Sequence, residues 1–525
     1  MKRVLLFLYI PILLSFTDAG FAYPLDAYPE TGIRRLEAAR LAVFGKIRGR
    51  PQPPGALLPA ALVDLRLMDR PNLQLPEPDP EFTDRIRQLL GDQADRYGIS
   101  VLDLSDPDHP RYAEHRADFR QNVGSVGKIA VAVALFQALA DIYPDDIEAR
   151  KRLLRETIIT ADEFIQRDHH EVRIFNPATG ARSFRPLQIG DQGSLWEYLD
   201  WTLSISSNAA ASMVMKNAML LRHFKTDYPV SDDEATRFFK EASRQQLREL
   251  YEQTFLVPFT RNGLDLNLFR QGSFFTRYGK QRVPTGYNSY GTARELMRLL
   301  LLMEQGKLVD VFSSREIKRL LYMTERRIRY ASAPALDDSA VYFKSGSLYS
   351  CKEEPGFKCK KYHGNVKNYM NSAAIVETPA GVNRLYYLVT LISNVLYKNS
   401  AVDHQTLATY IHRLVEANHP PQPPAPGELP PEVTFGRNLI GFSAEQQERL
   451  QVANAQAALS QLGYNVGPVD GKYGSQTMSA VKAFQKKQHL KVDGKINDKL
   501  LEQLTIAIEN LAPADPSQPD RATVQ

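Results

Sequence analysis

Cysteine is almost missing: there are two in 525 residues, Cys351 and Cys359. That excludes a disulfide-built scaffold and makes a Cys-based metal site the less favoured reading of the pair. The two lie in one short polar loop, "CKEEPGFKC", which suits a single disulfide closing a hairpin-like excursion. An excess of one charge is also missing. Lys+Arg 65 against Asp+Glu 60 leaves a formal charge of +5 with no basic stripe, which excludes the electrostatic footprint of a nucleic-acid binder. Internal repeats are absent, and after the first residues no further long apolar segment stands out. What remains is ordinary globular composition, 43% hydrophobic and 24% charged, over a length that suggests two to four domains.

The first residues, "MKRVLLFLYIPILLSFTDAGFAYP", combine a basic start (Lys2, Arg3), a short apolar stretch (Val4 to Phe16) and small residues at Gly20 and Ala22. The pattern predicts a signal peptide over 1–22, with an uncleaved anchor as the alternative. No cysteine follows the apolar run, which argues against a lipoprotein. The mature chain is therefore expected in the periplasm or cell envelope, secreted, oxidising for its cysteines, and off the membrane.

Residues 23–80 are rich in Pro and Arg, with one helical pattern, "GIRRLEAARLAVFGKI", and are expected to form a poorly packed arm. From residue 81 to 417 the chain mixes helices and strands. "ISVLDLSD" alternates like a strand, "RLYYLVTLISNVL" reads as a buried strand, and "DHQTLATYIHRLVEA" as a closing helix. Residues 418–445 open with "NHPPQPPAPGELPPEV", whose prolines favour an extended spacer. A compact unit over 446–507 and a disordered tail over 508–525 complete the chain.

"QNVGSVGKIAVAVALF" carries Ser125 and Lys128 three apart at the head of an apolar helix, hence on one face. A serine hydroxyl becomes a useful nucleophile only when a neighbour takes its proton, and a lysine with a lowered pKa can do so. Two later stretches offer the remaining parts of such a site. "WTLSISSNAAASMVM" carries Ser206, Ser207 and Asn208, and the strand-like "AVYFKSGSLYS" carries Lys344, Ser345 and Gly346.

In this order, S-x-x-K, S-x-N and K-S-G resemble the active-site-serine family of class A β-lactamases and penicillin-binding proteins over about residues 81–417. The resemblance implies an α+β fold, an antiparallel sheet flanked by helices, and chemistry without metal or cofactor. It implies Ser125 as nucleophile, Lys128 as its base or proton relay, and Ser206 as proton donor to the leaving nitrogen. Asn208 would bind the substrate amide and orient Lys128. Lys344 and Ser345 would meet the substrate carboxylate, next to Gly346, and the backbone N–H groups of Ser125 and Ser347 would bind the oxyanion. Ser204 and Ser207 read as cap and packing residues.

One element departs from the class A pattern. Leu266 and Asn267 in "RNGLDLNLFRQG" match a loop pair, but the place of the water-activating glutamate is held by Gly263. Asp265 is out of register. An apparent charged insertion around "HFKTDYPVSDDEATRFFKEASRQQLREL" is expected over or beside the cleft; Glu241, Glu249 or Glu252 in or just after it are alternative candidates for the position, but read as solvated helix faces. Acylation without efficient deacylation is the behaviour of a penicillin-binding, D-Ala-D-Ala-directed enzyme. A true β-lactamase and an idle wall-binding scaffold are the alternatives. "QRDHHEVRIF", with Asp168, His169, His170 and Glu171, reads as a polar loop, because adjacent histidines on a strand point to opposite faces.

"NAQAALSQLGYNVGPVDGKYGSQTMSAVKAFQKKQHLKVDGKINDKLLEQL" has three helical segments separated by Gly-Asp turns, with Leu459, Leu462, Val481, Phe484 and Leu500 as a small core. It resembles the three-helix peptidoglycan-binding domain. That implies peptidoglycan as a partner, with Asp470, Gly471, Tyr473 and Gly474 as candidate contacts.

Overall fold

In the computed structural model of the chain, residues 24–420 and 451–509 are described, apart from 44–45, 49–51, 323–326, 382, 453–454, 457, 461 and 468–471. The expected signal peptide, nearly all of the spacer and almost all of the expected tail lie outside the described residues. Among the described residues nine strands occur: β1 (Tyr97–Asp103), β2 (Arg111–His115), β3 (Ile158–Thr160), β4 (Glu171–Phe175), β5 (Arg182–Pro186), β6 (Gln192–Ser194), β7 (Ala340–Ser350), β8 (Lys367–Thr378) and β9 (Leu385–Asn394). Five form one antiparallel sheet in the order β2-β1-β9-β8-β7, and the others form two short pairs.

Helices cover both faces of that sheet. Pro80–Leu89 and Ser400–Asn418 bury Phe82, Ile86, Leu407 and Ile411 against Tyr97, Val389 and Val376. On the other face a larger core gathers around the helix Lys128–Ile142. Because both faces are covered, β1 is buried at every residue rather than alternately, and β9 at all but its last. This is the α+β sheet-and-helix architecture that the motif order predicts.

The apolar run after Ser125 is longer than the sequence reading allowed for. The helical stretch Gly124–Ile142 is long and apolar enough, by length and composition, to cross a membrane. Here its apolar surface is spent inside the core: Ile129 through Phe136 are all fully buried.

The expectation of a poorly packed arm over residues 23–80 is corrected. Ile33, Leu36, Val63 and Leu67 are buried in the main core. Arg35 makes a two-pronged ion pair with Asp200, at 2.5 and 2.6 Å, and both side chains are buried. Arg34 grips Glu197 beside it. The proline-rich part has no helical or strand period, so its packing is invisible to periodicity. It folds as short 3-10 turns whose backbone groups find side-chain partners, as where the Leu58 N–H donates to Tyr322 Oη. Gly55 lies so close to β7 that a Cβ there would stand 2.2 Å from the Ser339 carbonyl oxygen.

In the C-terminal unit, the helices Ser475–Lys487 and Asp498–Glu509 and helical residues within 451–460 enclose Ala455, Leu459, Val481, Phe484 and Leu500. Leu462 packs at the edge of this core, and Gly463 and Gly494 adopt positive φ (85° and 73°).

Candidate active site

Ser125 sits in the 3-10 turn Gly124–Gly127 that leads into the helix Lys128–Ile142. Gly124 has φ 54°, which a side-chain-bearing residue reaches only with strain. Lys128 is fully buried, and its Nζ lies 2.9 Å from Ser125 Oγ. It also donates to the Ser206 carbonyl at 2.8 Å and to Asn208 Oδ1 at 2.7 Å. The Phe275 ring covers it, with the centroid 4.6 Å away. Burial pushes the Lys128 amine down to about 7, against an opposing pull from Asp168 and with a smaller push from the Arg329 guanidinium. A neutral amine at that position is chemically able to accept a hydroxyl proton.

Ser206 immediately precedes the N-cap of the helix Asn208–Phe224 and holds φ 67°. A serine in the left-handed region is strained, and such strain gathers at functional sites. Its hydroxyl is shared by both lysines: Lys344 Nζ at 2.9 Å and Lys128 Nζ at 3.4 Å. Lys344 is buried on β7, and its amine is held well below the usual lysine range by burial and then by the charges of Lys128 and Arg329.

Gly346 follows on the same strand, opposite Asn371 of β8. A Cβ on Gly346 would stand 2.1 Å from the Val123 carbonyl oxygen and 2.6 Å from Ser125 N. Glycine is therefore what lets β7 close on the Ser125 turn. A Cβ on Gly124 would in turn meet Ser347 N at 3.2 Å. The backbone around Ser347 and the Ser125 turn are thus in close contact. Ser345 Oγ accepts from Arg329 Nη1 at 2.7 Å, and Ser347 Oγ from Arg329 Nη2 at 3.1 Å.

The structure therefore brings Ser125, Lys128, Ser206, Asn208, Lys344, Ser345, Gly346 and Ser347 together. Ser204 donates to the Asp200 carbonyl and Ser207 caps its helix, as their sequence positions suggest. Cys351 and Cys359 are disulfide-bonded in the excursion between β7 and β8. In the C-terminal unit, Tyr473 Oη donates to the Gly494 carbonyl and Gly474 caps a helix, while Asp470 and Gly471 lie outside the described residues.

Of the loop pair, Leu266 packs at the edge of the main core. Asn267 is exposed, and Asp265 is turned to the Asn267 backbone. Gly263 has open space around it. Beside the Ser125 turn stand Gln271 and Phe275 instead. A Cβ on Gly127 would lie 2.2 Å from Gln271 Oε1, which is buried and, among the described residues, without a hydrogen-bond partner. The charged insertion supports this loop from behind: Tyr251 Oη donates to the Gln271 carbonyl, and Glu252 accepts from Tyr287 Oη. Glu241 and Glu249 stay exposed on their helices.

Sequence reasoning missed three groups. Arg329, in a 3-10 turn with φ 54°, belongs to no motif. Gln271 and Phe275 carry no pattern either. The third is Asp168 with His170. The histidines do not point to opposite faces. They precede β4 rather than belong to it, and their rings stack with centroids 4.7 Å apart. Potential ligand atoms of Asp168, His169 and His170 lie within 4.8 Å of one another, but the Asp168 oxygens are already engaged by Ser207, Ala209 and His170.

Residues 81–404 match the model of the "Beta-lactamase enzyme family", and residues 448–504 that of a "Putative peptidoglycan binding domain". The chain belongs to the β-lactamase enzyme family, as a serine-hydrolase-type member with an appended helical peptidoglycan-binding domain. Similar solved structures include a PBP-A variant in acyl-enzyme complex with penicillin G, at 15% identity, covering 66% of this chain and 100% of that one with a TM-score of 0.41. A β-lactamase from Chitinophaga pinensis is 14% identical, with 64% and 98% covered and a TM-score of 0.40. No curated protein matches.

Proposed function

We propose that the chain is an exported D,D-peptidase-like enzyme that forms a slowly hydrolysed acyl-enzyme with D-Ala-D-Ala-type peptides and with β-lactams, and is tethered to peptidoglycan by its C-terminal domain. The observation that carries this is the buried Lys128 Nζ 2.9 Å from Ser125 Oγ, with its amine pushed down to about 7. Ser125 Oγ attacks the scissile carbonyl carbon while Lys128 takes the hydroxyl proton. The oxyanion is met by the N–H groups of Ser125 and Ser347. On collapse the C–N bond breaks, and Ser206 gives its proton to the leaving nitrogen, drawing a replacement from Lys128 or Lys344. Ser345, Arg329 and Lys344 form the cationic and hydroxyl end of the cleft, suited to a substrate carboxylate.

Slow hydrolysis is supported by what stands beside the Ser125 turn. A buried amide, Gln271, and an aromatic ring, Phe275, are not bases at neutral pH, and a missing general base typically slows a step by ~10²–10⁴-fold. The tether rests on the peptidoglycan-binding match, since a bound module raises the local concentration of wall substrate. The test is a time course of the purified chain with a penicillin, followed by intact-mass spectrometry beside Ser125→Ala. A persistent adduct on the wild type alone is expected. Rapid turnover without adduct would make the chain a β-lactamase, and neither adduct nor turnover would leave a wall-binding scaffold.

A further inference from the structure

Asp168 lies outside the three motifs, yet its buried carboxylate is wired to the second of them. One oxygen accepts from Ser207 Oγ and from the Ala209 N–H, each at 2.9 Å. The other accepts from the His169 N–H at 2.9 Å and stands 2.5 Å from His170 Nδ1. The side chain is only 2% exposed. Ser207 and Ala209 flank Asn208, so Asp168 grips the first turn of that helix on both sides of the residue whose Oδ1 receives Lys128 Nζ at 2.7 Å.

We propose that Asp168, held by His170, is a positioning residue for the Ser125–Lys128 pair, fixing Asn208 against the Lys128 amine and supplying a buried negative charge beside it. This rests on reading Lys128 as the base for Ser125. The charged and titratable groups around that amine come from three segments: Lys344 on β7, Arg329 in the turn before it, and Asp168 with His170 before β4. The loop carrying Phe275 contributes an aromatic face and no charge. Arg329 favours a neutral Lys128, while Asp168 acts the other way, and Lys128 and Arg329 in turn favour a neutral Lys344. Burial alone would raise the Asp168 carboxyl, but the His170 contact and the Ala209 N–H keep it ionised, well below the usual carboxylate range. Asp168 thereby offsets part of the effect of burial and of Arg329 on the Lys128 amine.

The test measures how fast a fluorophosphonate labels Ser125 in the full chain across pH. In that step Ser125 Oγ bonds to phosphorus, the P–F bond breaks, fluoride leaves and Lys128 takes the hydroxyl proton, so no wall substrate is needed. Asp168→Asn is expected to slow labelling about 10-fold and to move the acid limb of the profile down by ~1 pH unit. Ser207→Ala, which loosens the grip but keeps the charge, is expected to slow labelling with the limb unmoved. An Asp168→Asn profile lowered evenly, or unchanged, would overturn the proposal, because a merely structural carboxylate cannot move the limb. No Ser125-dependent labelling of the wild type would remove the reading of Ser125 and Lys128, and this proposal with it.

Discussion

Lys344 Nζ lies 2.9 Å from Ser206 Oγ, on a hydroxyl that Lys128 also reaches at 3.4 Å. Two buried amines sharing one hydroxyl cannot both hold a full charge, since like charges at this range repel by several kcal/mol in a low-dielectric site. The proton inventory of the cleft therefore turns on this pair.

Acylation is expected to depend on pH through Lys128. The amine, at about 7, is protonated and inactive as a base below that value and neutral above it. The acylation rate should rise with pH and level off above about 7. Lys128→Ala should lower it by ~10²–10⁴-fold. Stopped-flow acylation with a chromogenic cephalosporin checks both, and a profile flat from pH 5 to 9 would refute the assignment.

Gln271→Glu should shorten the lifetime of the penicillin adduct. The substitution keeps the shape of the side chain and puts a carboxylate against Gly127, two residues from Ser125. Even a tenth of the usual effect of a general base would give ~10-fold faster release. Adduct decay by intact mass reads this, and an unchanged lifetime would mean that water does not reach the carboxylate.

Gly346→Ala should abolish acylation and lower stability together. Its Cβ would meet the Val123 carbonyl oxygen and Ser125 N, both backbone atoms that cannot swing aside. Overpacking of this kind typically costs about 1–3 kcal/mol. Thermal unfolding together with acylation kinetics tests it.

Arg35→Ala should destabilise the main domain although it lies outside the motif-bearing stretch. It would strand the fully buried Asp200 without its guanidinium partner. Breaking a buried pair typically costs about 3–5 kcal/mol. The denaturant midpoint should fall clearly. A midpoint unchanged by the substitution would mean that residues 24–67 contribute no stability.

The sequence alone pointed to the motif residues that the fold gathers and determined the kind of fold. Ser125, Lys128, Ser206, Asn208, Lys344 and Gly346 were legible because each needs a fixed local setting, a helix start or a strand, and that setting fixes short spacings. The buried β9 and the closing helix were legible from apolar runs and helical period. Only the tertiary structure decided the rest. Arg329, Asp168 and Gln271 reach the site through loops, where no period links a residue to its neighbours in space. The described residues of 24–67 pack by a helix, by short 3-10 turns and by ion pairs to Glu197 and Asp200, more than 160 residues away in sequence. Long-range contacts of that kind leave no mark on local pattern, because either partner alone reads as an ordinary surface charge.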